Sequence, residues 1–153
     1  MIKATVVHDS KCGNTKLVAE AIAQGINQVP GVEIVVTKVD TVDLSQIDKF
    51  DVILIGSPNH IGGPTRAIKK FIDSLGKLKL EGKRGAVFDT YTGTDFEKAV
   101  KKMEKQIAEK VAGLKLITPG FSIRVNATKG PVTDGELPKC KEFGIKIATL
   151  INQ

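Results

Sequence analysis

The sequence predicts an α/β fold, a doubly wound parallel sheet with helices on both faces. Three observations predict it. Short apolar, β-branched runs alternate with stretches whose apolar residues recur at helical spacing, the pattern of successive βαβ units. One run, Val52-Ile53-Leu54-Ile55, is continuously apolar, as suits a strand buried on both faces. Polar, glycine-containing segments follow the first, third and fourth runs, at Ser10 to Thr15, Ser57 to Gly63 and Asp89 to Gly93. Ligands of such sheets sit beyond the carboxyl ends of the strands, so these three segments describe one composite pocket.

Each element has its own warrant. Ile2 to Val7 is apolar and free of turn residues, a buried strand. From Asn14, the positions Val18, Ala21, Ile22, Gly25, Ile26 and Val29 mark one face of a helix that Pro30-Gly31 ends. Val32 to Lys38 alternates in part and suits a sheet-edge strand. Asp43 to Lys49 reads as a loop with a helical turn, anchored by Leu44 and Ile47. Pro64 opens a helix with Ile68, Phe71, Ile72 and Leu75 on one face, since a first turn needs no N–H donor. Lys83 to Asp89 contains the next strand. A charged helix is expected from Asp95 to Ala112, with Phe96, Val100, Met103, Ile107 and Val111 on its apolar side. Leu114 to Ile117 is a short strand that Phe121 to Val125 continues after Pro119-Gly120. Thr133 and Glu136 have capping-box spacing and start the last helix. Leu137, Cys140, Gly144, Ile147, Ala148 and Ile151 form its buried face. With no repeat or linker, residues 1–153 are expected to form a single domain.

Composition narrows the function classes. The chain is 41% hydrophobic and 26% charged, an ordinary globular balance. No apolar run approaches membrane-spanning length and Met1-Ile2-Lys3 leads into the first strand, so neither a membrane anchor nor a signal peptide is expected. Cys12 and Cys140 are too few and too far apart for a disulfide scaffold or a zinc site, and two histidines leave little room for any metal. A reduced, cytoplasmic protein is the expectation. The net charge is +6, but aromatics make up only 5% of the chain and do not interleave with the basic residues, so nucleic acid is not an expected partner. The basic surface suits an acidic protein partner instead.

The first loop is the most telling stretch. Ser10, Cys12, Gly13, Asn14 and Thr15 crowd small polar side chains around a helix start. The N–H groups there have no partner inside the helix and sit at the positive end of its dipole, the makings of a phosphate cradle. The loop is neither a P-loop nor a GxGxxG fingerprint. A response-regulator receiver is excluded as well, because only Asp9 follows the first strand and the third strand ends in Gly56-Ser57.

Ser10-Lys11-Cys12-Gly13-Asn14-Thr15 resembles the phosphate-binding signature of flavodoxins, with Cys12 in place of the usual hydroxyl. Val52 to Pro58, the glycine-bearing loop after it and the helix ending Lys70-Phe71-Ile72-Asp73 resemble the third strand, flavin loop and helix of that family. Gly130-Pro131 and Asp134-Gly135-Glu136-Leu137 resemble the last-helix entry in flavodoxins fused to diiron proteins. The resemblance implies a flavodoxin-like five-stranded sheet of order 2-1-3-4-5. It implies FMN, with its phosphate on Ser10, Cys12, Gly13, Asn14 and Thr15. Its ring would lie between Ser57-Pro58-Asn59-His60-Ile61-Gly62-Gly63 and Thr90-Tyr91-Thr92-Gly93, with Tyr91 the one aromatic in either loop. By position, Ile61-Gly62 is the peptide expected to turn over when the flavin gains an electron, with Gly62-Gly63 in reserve, because glycine tolerates positive φ.

Three functions are compatible with these residues. The first is a small electron carrier without its own substrate, working with protein redox partners as a monomer or weak dimer. The second is an FMN-dependent NAD(P)H:quinone reductase, which needs an open ring face. The third is a flavodoxin-fold module that has lost FMN. No Ser/His/Asp or Cys/His arrangement argues for a catalytic residue. Cys12 is read as a small side chain whose backbone binds, His60 as an exposed loop residue, His8 as packed under the loop and Cys140 as core.

Overall fold

The computed structural model describes residues 1–153. The chain runs β1 (Ile2–His8), α1 (Asn14–Asn27), β2 (Val32–Lys38), two 3-10 turns, β3 (Val52–Pro58), α2 (Arg66–Leu75), β4 (Arg84–Tyr91), α3 (Lys98–Lys110), β5 (Lys115–Leu116), β6 (Phe121–Arg124) and α4 (Glu136–Ile151). All named strands pair in parallel, in the order β2-β1-β3-β4-β5. The last position of the sheet is one strand in two pieces. β5 pairs with Arg84 and Gly85, β6 pairs with Phe88 to Tyr91, and the segment containing Pro119-Gly120 separates them. Proline has no N–H to give a ladder, so the break falls where the sequence placed it.

The sheet separates two cores. Ala4, Val6, Leu54 and Phe88 face α1 and α4, while Val7, Ile53, Ile55 and Val87 face α2 and α3. Neighbouring residues on a strand point to opposite faces, which is why the central strands are apolar throughout. On the first face two helices nearly touch. A Cβ on Gly25 would collide with the Lys141 carbonyl, and one on Gly144 with the Ile22 carbonyl. These glycines set the helix separation.

Several expectations are corrected. α2 starts at Arg66 rather than Pro64, because the Thr65 hydroxyl caps it by accepting from the Ile68 N–H at 3.4 Å. α3 starts at Lys98 and ends at Lys110, inside the expected Asp95 to Ala112. Phe96 therefore lies before the helix, 56% exposed, and not on its apolar side. Of the two expected anchors of the 3-10 turn, Ile47 is buried and Leu44 is exposed. The capping box is not made. Gly135, at φ 87, precedes α4, the Thr133 hydroxyl donates to Asn126 Oδ1, and Glu136 Oε1 accepts from the Arg124 N–H. With the left-handed glycine in the cap position, Thr133 meets the helix only through its carbonyl, which accepts from the Glu136 N–H at 3.1 Å.

Candidate functional site

The carboxyl ends of β1, β3 and β4 open on one cleft. At the end of β1, the Asp9 N–H donates to the Gly56 carbonyl at 3.1 Å. Ser10 Oγ accepts from the Gly13 N–H at 2.9 Å and folds the loop back on itself. Gly13 sits at φ 89, a conformation that costs other residues about 1–2 kcal/mol. It launches α1 with no side-chain cap and no acid in the first turn. The first N–H groups of α1 thus point out of the helix with no side chain to answer them.

Behind this terminus the hydroxyls of Thr15 and Thr90 lie 3.0 Å apart, both residues buried. Asn14 is buried too and donates through Nδ2 to the Thr128 carbonyl at 3.5 Å. His8, the last residue of β1, is buried with its Nδ1 unpartnered. Burial, with the Lys16 charge adding to it, holds its pKa below the ordinary histidine value.

The loop after β3 is anchored at its base. Ser57 Oγ accepts from the Thr65 N–H at 3.0 Å and donates to the Pro58 carbonyl at 2.9 Å. The Asn59 N–H donates to the Thr90 carbonyl at 2.7 Å, and Asn59 Nδ2 donates to Asp95 at 2.8 Å. Asn59 Oδ1 is buried with no partner. A buried acceptor left unmade costs about 1–3 kcal/mol, so this atom fits a ligand donor in the cleft. At the tip, the N–H of His60 donates to the Gly63 carbonyl at 2.6 Å, and the N–H of Gly63 returns a bond to the His60 carbonyl at 3.3 Å. Between them Ile61 and Gly62 have φ of 51 and 74.

The C-terminal half of β4 carries a buried carboxylate. Asp89 accepts from the Ser122 hydroxyl and from the Val100 N–H, the latter at 3.0 Å. It caps α3 from the sheet, because Glu97 at the helix start is left-handed and makes no cap. Burial pushes the Asp89 carboxyl up to about 6 despite these donors. Tyr91 lies beyond it, its ring edge-on to Phe96 at 5.5 Å.

The structure brings Ser10, Cys12, Asn14, Thr15, Pro58, Asn59, His60, Thr90, Tyr91 and Thr92 to the cleft lining. Gly13, Ser57, Ile61, Gly62, Gly63 and Gly93 shape the same loops without lining it. Ser57 is buried behind the loop it anchors, and Ile61 points outward. Lys11, Val125 and Thr128 complete the wall and were not among the sequence candidates. Val125 and Thr128 belong to the segment after β6 that reaches α1, and within it a Cβ on Gly130 would stand 2.5 Å from Asn14 Oδ1. The glycine of Gly130-Pro131 is the one sequence signal that could have found that wall. Cys12 is exposed at the cleft, whereas Cys140 is core, its thiol pushed up to about 12 by burial.

A parallel sheet with its cleft at the switch between β1 and β3, lined by a polar helix start, defines a nucleotide- or flavin-binding class of α/β protein. Comparison with known proteins makes this specific. The family model described as "Flavodoxin domain" matches residues 5–120, and the chain belongs to the flavodoxin family. A flavodoxin of Clostridium saccharobutylicum is 32% identical over 89 residues, 58% of this chain and 56% of that protein. The anaerobic nitric oxide reductase flavorubredoxin of Aeromonas hydrophila is 28% identical over 152 residues, 95% of this chain but 28% of the relative. A solved flavodoxin from the domain Archaea superposes with a TM-score of 0.84 at 31% identity, covering 99% of this chain and 100% of that one. Among curated flavodoxins, then, the matched segment spans about half the relative's length. Flavodoxins bind FMN as their cofactor. No helix is long and apolar enough to cross a membrane.

Proposed function

We propose that this chain binds FMN in the cleft and carries electrons between protein partners, with no substrate of its own. One observation carries the reading. The cleft joins an uncapped helix start and buried hydroxyls at one end to an unpartnered buried acceptor and an aromatic ring at the other. An anionic phosphate suits the first end, where N–H groups and the helix dipole favour negative charge. A planar ring with N–H donors on its edge suits the second. The N–H groups at the start of α1, with Ser10, Cys12, Gly13, Asn14 and Thr15, would hold the phosphate. Pro58 to Gly63 and Thr90 to Gly93 would flank the ring, with Tyr91 against it. When bound, the flavin supplies the redox chemistry, and these residues orient it and shield it from water. Residues 1–153 act as one flavodoxin-like unit of the cytoplasm, as a monomer or weak dimer.

The visible spectrum of the purified protein, with chromatography of the released cofactor, tests this. A flavin spectrum and FMN are expected. Recovery of FAD, or of no flavin after reconstitution with FMN, would overturn the assignment.

A further inference from the structure

A second groove adjoins the cleft. Lys11 and His60 line both, and Arg66 and Lys70 line the groove alone. Lys102 reaches the same end from α3, its Nζ 3.6 Å from where a Cβ on Gly63 would stand. Lys11, Arg66, Lys70 and Lys102 take part in none of the salt bridges of the chain. The acids nearby are engaged. Asp9 accepts from the Thr65 hydroxyl at 2.6 Å, and Asp95 holds Lys98 at 2.9 Å and accepts from Asn59. Asp9 lines the groove as well, but it is one carboxylate against Lys11, Arg66 and Lys70, so the mouth of the cleft has a net cationic arc beside it.

Apolar surface stands next to that arc. Ile61 is 91% exposed at the tip of its loop. Phe96 is largely exposed as well, packed edge-on against Tyr91 of the cleft wall. An apolar centre with a polar rim is the anatomy of a protein interface, and a rim of one charge selects a partner of the other.

We propose that this end of the molecule is the docking face for a protein partner with an acidic rim. Ile61 and Phe96 are its apolar contact points, and Lys11, Arg66, Lys70 and Lys102 are its cationic rim. The inference rests on the electron-transfer reading, since a partner seated here lies against the mouth of the cleft. A single-stranded nucleic acid would use the cations, but it binds through stacking platforms, and neither Ile61 nor the edge-packed Phe96 offers one, while a duplex would leave this apolar surface uncovered.

The test is an NMR titration of the isotope-labelled protein with two forms of ferric cytochrome c, the native basic protein and its succinylated, acidic derivative. The succinylated form is expected to shift the amides of Lys11, Ile61, Arg66 and Phe96. The shifts should vanish as salt rises from about 0.01 M to about 1 M, where the Debye length falls from about 30 to about 3 Å. The native form should leave those amides in place. Charge reversal by Arg66→Glu, Lys70→Glu and Lys102→Glu together should exchange the two outcomes. Ile61→Ser with Phe96→Ser should weaken the succinylated complex about fivefold with an unchanged salt slope. Equal shifts from both forms, shifts confined to another face, or the same shifts from a short DNA duplex and none from the succinylated protein would each overturn the proposal. FMN affinity, read separately by flavin fluorescence, tells the two readings apart. Tight FMN binding without docking refutes the docking face alone. Docking without FMN binding refutes the flavin assignment alone.

Discussion

Two loops at the ends of neighbouring strands meet at the cleft and are built in opposite ways. Ser10 to Thr15 is fixed on every side, by the Ser10–Gly13 bond within it, by the Thr15–Thr90 hydroxyl pair beneath it and by Asn14 held against the segment around Thr128. Asn59 to Gly63 is fixed only at its base, through Asn59, and its tip makes two hydrogen bonds within itself while Ile61 stands in solvent. The difference teaches how the labour of the site is divided. A loop that binds an anion works best with its donors already in place, because nothing then reorganises on binding. A loop whose peptide must turn needs few outside contacts to lose, and regions with few buried contacts are the ones that open at low cost.

The largest effect is expected beneath the first loop, where β4 buttresses it. Asp89 has an unfolded carboxyl near 3.8 and a folded one near 6, so the native state holds the proton more tightly. Its contribution to stability is fully present below about pH 4 and is lost as the pH rises through about 6, by up to about 3 kcal/mol. Asp89→Asn keeps an acceptor and cannot ionise. It should flatten the denaturation profile between pH 4 and 6 and raise stability at pH 7. Chemical denaturation of the apoprotein at several pH values checks this, and an unchanged profile contradicts it.

Next in size is the fixed loop itself. Thr15→Ile removes a buried hydroxyl at the helix start and should weaken FMN by roughly 10- to 100-fold, the value of one charge-assisted hydrogen bond. Riboflavin, which has no phosphate, should lose much less. Parallel fluorescence titrations measure both, and equal losses would mean that Thr15 does not face the phosphate.

The loop Asn59 to Gly63 should respond in the other sense. Gly62→Val puts a β-branched residue at φ 74, where any side chain is strained. It should shift the first one-electron potential of the flavin by the equivalent of roughly 0.5–1.5 kcal/mol and leave oxidised FMN bound as before. Potentiometric titration that gives the parent potential would remove the turning peptide from this loop.

The smallest effect sharpens the contrast. Ile61, β-branched and left-handed at φ 51, holds strain that Asn tolerates better. Ile61→Asn should raise the melting temperature slightly, for a gain of up to about 1 kcal/mol. A lower melting temperature would show that the tip is stabilised by something other than its backbone.

Much of this was legible in advance. The run Val52 to Ile55 gave away a strand covered on both faces, the apolar spacing from Val18 to Ile26 gave α1, and the three polar loops gave the cleft. What failed did so at element ends. Phe96 fits the apolar stripe of α3 by spacing, yet left-handed Glu97 interrupts the helix after it. Thr133 and Glu136 have capping-box spacing, yet left-handed Gly135 takes the cap position and their side chains bond elsewhere, to Asn126 and to Arg124.

The sequence by itself determined the order of strands and helices, the loops that hold polar groups and the buried face of each helix apart from Phe96 and Leu137, both expected to be covered and both exposed. Periodicity is local, and a residue's face follows from its neighbours three, four or two positions away. Only the tertiary structure decided which side chains finish the cleft. Val125 and Thr128 join Asn14 across most of the chain, Thr90 meets Thr15, and Asp89 caps a helix from the adjacent strand. Those bonds depend on where the sheet brings distant strand ends together, and no local pattern records that distance.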